Sequence, residues 1–351
     1  MFLKKNNLHI PGLIGLFFIV LSFLLASFAY IIAPDNSPYA NQMNLELRTL
    51  NPGSKVVFLK LKKMNLSSPS SWINKLLNGQ IKPFTLLPVS SFQVEGDRII
   101  YSSLNGLNKN DIPISDLYFK SGASNIEKVF YLGTDRYGRD LLSRLIIGTR
   151  ISLAIGFISV IISLVIGVGF GLISGYFGGI IDRLIMWLIN VVWSIPTLLM
   201  VITISLALGK GFWQVFIAVG LTMWVEVARV VRGQVISLKE MDYIKAAKMT
   251  GFSDFRIMFR HILPNITSPI IVISAANFAS AILIESGLSF LGIGTQSPIP
   301  SWGGIIKNHY SYIILDKAYL AIAPGLSIVF LVLAFIMVGN MLREKLHVKH
   351  I

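Results

Sequence analysis

The chain alternates long uncharged apolar blocks with polar stretches. No charged side chain interrupts Ile10 to Pro34, Ile151 to Ile181, Leu184 to Gly209, His261 to Ile284 or Ala318 to Leu342, and a shorter run, Gly211 to Val225, leads into Glu226. A bilayer core about 30 Å thick is crossed by roughly 20 apolar residues in a helix. The pattern therefore predicts an all-α polytopic membrane protein with six transmembrane helices. Lys4 and Lys5 before the first block, and the small residues Ala26 and Ala29 within it, also suit a cleaved signal peptide. The block exceeds the roughly 7 to 15 apolar residues of such a signal, which favours a retained helix.

Composition agrees with that reading: 54% of residues are hydrophobic and 14% charged, against about 25% charged in soluble domains. The absence of cysteine excludes disulfides, cysteine-ligated zinc and iron–sulfur clusters. A net charge of +14 does not by itself point to nucleic acid, because basic residues beside membrane spans hold loops in the cytoplasm. Arg229, Arg232, Lys239, Lys245, Lys248, Arg256 and Arg260 outnumber Glu240, Asp242 and Asp254 in one loop, which is expected to be cytoplasmic. Both termini, with Lys4, Lys5, Arg343, Lys345 and Lys349, fall on the same side.

Residues 1–34 then form the cytoplasmic N-terminus and first helix, 35–130 an extracytoplasmic insertion, and 131–351 the remaining five helices. The insertion is polar, with turn signals at Asn51-Pro52-Gly53, Ser67 to Ser70 and Asn105-Gly106. Between them Lys55 to Leu61 and Phe92 to Ser102 read as strands, so a small β-containing lobe is expected. Docking, shaping the outer mouth and a plain solvated insertion all remain open as its use.

Ser159, Ser163, Gly167, Gly171 and Gly175 recur every four residues, placing small side chains on one helical stripe where another helix can approach closely. Pro196 is expected to kink the third span, since proline removes a backbone hydrogen bond. In the basic loop, 236–265, a helix ending near Met249 is capped by Gly251, and Ser253 suits the start of a second one. Tyr243, Ala246, Ala247 and Thr250 are expected on one face of the first helix. Phe255, Met258, Phe259 and Ile262 form an apolar stripe on the second. Such a hairpin suits either a partner's groove or a lipid surface. Glu226 and Glu285 fall within or near the membrane, where an ionisable group marks a pathway or a paired partner; for Glu226, a helix-face pair with Arg229 explains it as well.

The segment Tyr243-Ile-Lys-Ala-Ala-Lys-Met-Thr-Gly251, followed after nine residues by His261-Ile-Leu-Pro264-Asn265, resembles the EAA loop of ATP-binding-cassette (ABC) importer permeases. Further matches resemble the dipeptide, oligopeptide and nickel permease family, in the subunit type carrying an extra motif before the second span. They are Leu132-Gly-Thr-Asp-Arg-Tyr-Gly-Arg-Asp140, Gly175-Tyr-Phe-Gly-Gly179, Ala228-Arg-Val-Val-Arg-Gly233, Ser289-Phe-Leu-Gly-Ile-Gly294 and Pro300-Ser-Trp-Gly303. The resemblance implies a type I importer permease fold and a loop, including Tyr243, Lys245, Ala246, Ala247, Gly251, Leu263 and Pro264, that couples to an ATPase. It also implies a second permease subunit (a heterodimer), two cytoplasmic ATP-binding subunits holding ATP and Mg, and an extracytoplasmic solute-binding protein. The setting is a cell inner or plasma membrane, and the solutes are peptides, with nickel chelates as the alternative. Two departures stand out: Lys245 replaces the family's usual glutamate, and the insertion before the Leu-Gly-Thr-Asp motif is longer than usual.

Other classes fit less well. The chain lacks the phosphate-cradling GxxxxGK[ST] pattern, so any ATP is bound elsewhere and the chain is read as a transport subunit, not an enzyme. An ion-gradient transporter is expected to show embedded carboxylates and repeated halves, and only Glu226 and Glu285 offer the former. The five histidines form neither HExxH nor a cluster beyond His347 and His350, so neither a metal site nor a metalloenzyme is expected.

Overall fold

A computed structural model describes residues 10–63, 71–104, 109–118, 125–209 and 211–347. The turn signals at 67–70 and Asn105-Gly106, and Lys4, Lys5, Lys349 and His350, lie outside these residues. The chain divides into two compact units, a helical one built from 1–23, 151–296 and 325–351 and a second built from 24–150 and 297–324.

Helices dominate the first unit because in hydrocarbon a lone segment satisfies its backbone groups only by coiling on itself. The apolar helices are α1 (Ile10–Ser27), α2 (Leu141–Phe177), α3 (Gly179–Trp193), α4 (Thr197–Leu208) and α5 (Phe212–Lys239). After α6 (Asp242–Met249) come α7 (Thr267–Leu291) and, beyond the short α8 (Trp302–His309), α9 (Tyr319–His347). Among the described residues five helical stretches are long and apolar enough to cross a membrane, and α3 with α4 makes a sixth if the bent pair is one span. Pro196 does more than kink this span: the two halves meet at 90°, because Ser194, Ile195 and Pro196 leave the helix altogether. α2 begins ten residues before the uncharged block, where Asp140 accepts the Ser143 N–H at 2.9 Å and caps the first turn.

The small-residue stripe of α2 lies along α5. A Cβ on Gly167, Gly171 or Gly175 would stand 2.6 Å from the Trp224 carbonyl, 2.7 Å from that of Ala228 or 2.9 Å from that of Arg232. Higher up, the Ser159 hydroxyl donates to the Phe216 carbonyl at 3.2 Å. Every pair keeps one sequence offset, so the helices run parallel and in register. Ser163 lies on the same stripe, buried, with its hydroxyl returned to Val160 O at 2.9 Å. α7 joins the bundle through Phe278, stacked on Phe335 of α9 at 4.0 Å, and α1 through Phe18 against Phe330 at 5.9 Å.

The second unit contains two three-stranded antiparallel sheets. One orders β2 (Phe84–Val89), β1 (Ser54–Lys62) and β6 (Asn125–Phe130); the other orders β3 (Ser91–Glu95), β4 (Arg98–Ser102) and β5 (Lys109–Pro113). The expected strand at Phe92 to Ser102 is a hairpin turning at Gly96, with Glu95 opposite Arg98. Alternate side chains of a strand point to opposite faces, and β1 is covered on both. Val56 and Phe58 pack with Leu47 and Phe130 on one side, and Leu59 packs with Val89, Ile99 and Leu117 on the other.

Candidate functional site

The loop hairpin begins where α5 ends. α6 closes with a paired cap, Phe252 N–H to Ala247 O at 3.2 Å and Gly251 N–H to Lys248 O at 3.1 Å, which places Gly251 at φ +82, a conformation natural to glycine. Ser253 then accepts the Arg256 N–H and starts the returning turn. From Ile257 to Ile262 the backbone is a π-helix, which shifts the helical phase before Leu263 and Pro264 lead into α7.

That shift splits the expected apolar stripe. Ile257, Met258 and Ile262 turn inward with Ile244 and Ala247, onto Leu172, Tyr176, Val231 and Val235. Phe255 and Phe259 remain exposed, their rings tilted against each other with centroids 4.3 Å apart. Ala247, expected on the presented face with Tyr243 and Ala246, is instead part of this core, because the inner face of α6 must cover the ends of α2 and α5. Tyr243 and Ala246 are exposed. The Tyr176 hydroxyl holds Asp254 at 2.6 Å, tying the hairpin to α2. Lys245 pairs with Glu240 at 3.3 Å, both exposed, so its charge is balanced within the loop.

A second feature, absent from the sequence reading, braces the same end of the bundle. Asp182 at the start of α3 receives Arg232 of α5 through two bonds of 2.6 Å, and the Ser174 hydroxyl also donates to it. The signal was present in the Gly175 to Gly179 and Ala228 to Gly233 segments, but the partner Asp182 lies just outside them.

In the membrane region a cleft of about 330 Å³ is lined by Trp193, Met200, Thr222, Glu226, Ser280 and Leu283, among others. Glu226 makes no ion pair among the described residues. Arg229, its expected partner, lies 3.3 Å over the Trp193 ring and donates to Asn190 Oδ1 at 2.7 Å. Glu285 does not line this cleft. It is fully buried and accepts the Ser289 hydroxyl at 2.6 Å on its own helix, where Ser289 also accepts the Thr295 N–H at 3.2 Å and so fastens the loop after α7.

The second unit joins two of the quoted motifs. Asp135 receives the Tyr137 and Arg139 N–H groups at 2.8 and 3.0 Å and the Arg139 guanidinium at 2.7 Å. Arg136 reaches Asn308 Oδ1 at 2.9 Å and gives its N–H to His309 Nε2 at 3.3 Å. The Trp302 indole N–H donates to Leu145 O at 3.0 Å, its ring lying against Gly148. Burial pushes the His309 imidazole below its ordinary value and the Asp140 carboxyl above its own. Since Arg136 donates to His309 Nε2, the His309 proton sits on Nδ1 and goes to Ile305 O at 2.7 Å.

The profile of the family described as binding-protein-dependent transport system inner membrane component matches residues 167–348. Glutathione transport system permease protein GsiD of Pectobacterium atrosepticum is 40% identical over 219 residues, 62% of this chain and 72% of that protein. Dipeptide transport system permease protein DppC of Alkalihalophilus pseudofirmus is likewise 40% identical over 219 residues, with the same coverage. Oligopeptide transport system permease protein OppC of Bacillus subtilis is 33% identical over 296 residues, 82% of this chain and 92% of that protein. This last match is longer than the stretch from 131 to 351, so the likeness reaches into the β-containing insertion.

Proposed function

Since the chain belongs to the family of binding-protein-dependent transport system inner membrane components, we propose that it is a permease subunit of an ATP-driven importer of short peptides. The loop hairpin is the coupling element: its inner face is anchored to α2 and α5, while Tyr243, Ala246, Phe255 and Phe259 stay exposed. That combination of a rigid attachment and an unpartnered apolar surface carries the reading, because a push on the exposed side is transmitted to the helices without being absorbed locally. A second permease subunit completes the path, two ATP-binding subunits supply ATP and Mg, and a solute-binding protein delivers the peptide. The hairpin and both termini face the cytoplasm, and the insertion over 35–130 faces outward.

The cleft beside Glu226 is the candidate translocation path. A lone exposed carboxylate there suits a solute with a cationic end, so peptides are favoured over anionic chelates. Glu285 serves to fix the end of α7. Lys245, paired with Glu240, lies at the rim of the docking surface.

The test is reconstitution with the ATPase subunits and measurement of co-purification and peptide-stimulated ATP hydrolysis. Phe255→Asp and Ala246→Asp, both at exposed positions, are expected to reduce ATPase association and coupling by about tenfold or more, as for loss of a central interface residue. Lys245→Glu is expected to weaken coupling only slightly. Wild-type association and stimulated hydrolysis in both aspartate variants would remove the hairpin from the coupling pathway.

A further inference from the structure

The β-containing unit holds a pocket of about 390 Å³, open to solvent on one side, whose walls carry both signs of charge. Asp35 and Asp140 stand side by side there, linked through Ser143. The Ser143 hydroxyl accepts the Asp35 N–H at 2.8 Å and donates to Asp140 Oδ2, which also takes the Ser143 N–H. Asp35 Oδ1 is occupied by the Ser37 N–H at 3.1 Å. Each carboxylate thus has one oxygen engaged. The other two, Asp35 Oδ2 and Asp140 Oδ1, are buried and have no hydrogen-bond partner among the described residues, in residues 1% and 2% exposed.

Lys63, Lys82 and Lys128 line the same cavity. Among the described residues neither Lys82 nor Lys128 forms an ion pair, and the Lys128 ammonium rests 5.0 Å over the Phe130 ring. Burial holds Lys82 below its ordinary pKa. The walls of the pocket therefore carry two buried acceptor oxygens without donors and cationic side chains near enough to feel the same carboxylates.

A buried acceptor without a donor is costly, more so when charged. Two such oxygens in one cavity are matched by a group that brings several N–H donors and a positive charge, as a primary ammonium does. A calcium ion calls for six to eight oxygen ligands, and the lysines oppose a bare dication. An ammonium that takes up Asp35 and Asp140 competes with the lysines for those carboxylates, and a carboxylate on the same ligand gives the lysines a partner in exchange. The volume lies in the range of about 300–1,000 Å³ common to small-molecule sites.

We infer that this cavity binds a small solute bearing a free ammonium and a free carboxylate, of the short-peptide class, with its ammonium on Asp35 and Asp140 and its carboxylate on Lys82 and Lys128. The solute class rests on the importer reading above. The insertion then captures solute as well as extending the chain, through a site distinct in its residues from the cleft at Glu226.

The test is calorimetric titration of the full chain in lipid nanodiscs, without ATPase or binding protein, using trialanine, N-acetyl-trialanine and trialanine amide. Trialanine is expected to bind, and acetylation of its amine to weaken binding by about tenfold or more, the loss of a charge-assisted contact. Amidation weakens it less. Asp140→Asn is expected to abolish the preference for a free amine, and the double substitution Lys82→Met with Lys128→Met to abolish the preference for a free carboxylate. The lysines are partly exposed and bear no ion pair, so their substitution spares the fold and carries the test if Asp140→Asn fails to fold. Absence of binding at millimolar trialanine, equal binding of the acetylated peptide, or affinities unmoved by the lysine substitutions overturns the inference. Intact binding here without ATP-driven uptake in the reconstituted complex would instead sink the importer reading and leave this site standing.

Discussion

The hairpin over 236–265 closes on itself through neighbours in sequence: Phe252 N–H to Ala247 O, Arg256 N–H to Ser253 Oγ, Asn265 to His261 O at 2.6 Å. The β-containing unit is joined by residues far apart, Arg136 with Asn308 and Lys317 with Thr49 O at 3.0 Å. A local hairpin tolerates a single lesion because each turn is held by its own cap. A unit held by long-range clasps depends on every clasp at once, since each ordered loop costs conformational entropy that only the distant contact offsets.

That contrast is testable. Gly138 has φ +72, and a Cβ there would fall 1.7 Å from the Asn44 carbonyl. Gly138→Ala is therefore expected to lose roughly 4 kcal/mol from left-handed strain and backbone overlap, seen as rapid proteolysis of the β-containing unit with the hairpin unaffected. Survival of that unit would show the clasp to be dispensable. Trp302→Ala removes the bond to Leu145 O and the ring against Gly148, and about 3 kcal/mol is expected to go, measured by pulse proteolysis.

In the hairpin the matching lesion is milder. Gly251 is equally left-handed, but nothing lies within 4 Å of a Cβ built there. Gly251→Ala should cost only about 1 kcal/mol, read as slightly faster amide exchange at Phe252 with the bundle unchanged. A loss as large as that of Gly138→Ala would erase the distinction between the two regions. The smallest effect concerns pH. His309 is neutral when buried and its folded pKa is depressed, so its contribution is complete above the ordinary value of about 6.5 and declines as pH falls through the lower folded value. Protease resistance of the β-containing unit should decline on acidification, and His309→Gln should flatten the profile.

The caps at Gly251 and Ser253 and the six apolar stretches were legible because each is decided by residues within a few positions. Lys55 to Leu61 was legible as a strand for the same reason. Phe84 to Val89 was not: it contains Pro88, and its register with β1 supplies what its own composition lacks. The inward turn of Ala247 was hidden because spacing on α6 defines a face without saying which side meets Tyr176 and Val235. Nor did the spacing of Phe255, Met258, Phe259 and Ile262 foretell the π-turn that divides them.

What this sequence determined alone is therefore what water and lipid decide locally: which stretches leave water, where helices start and stop, and which positions admit only a small or left-handed residue. Tertiary structure decided the partners. Arg229 faces Trp193 and Asn190 instead of Glu226, Asp182 receives Arg232, and Asp35 and Asp140 share Ser143 across more than a hundred residues. An ion or hydrogen-bond partner is selected by distance in space, and in a chain that returns on itself several times that distance is set by packing and not by separation along the sequence.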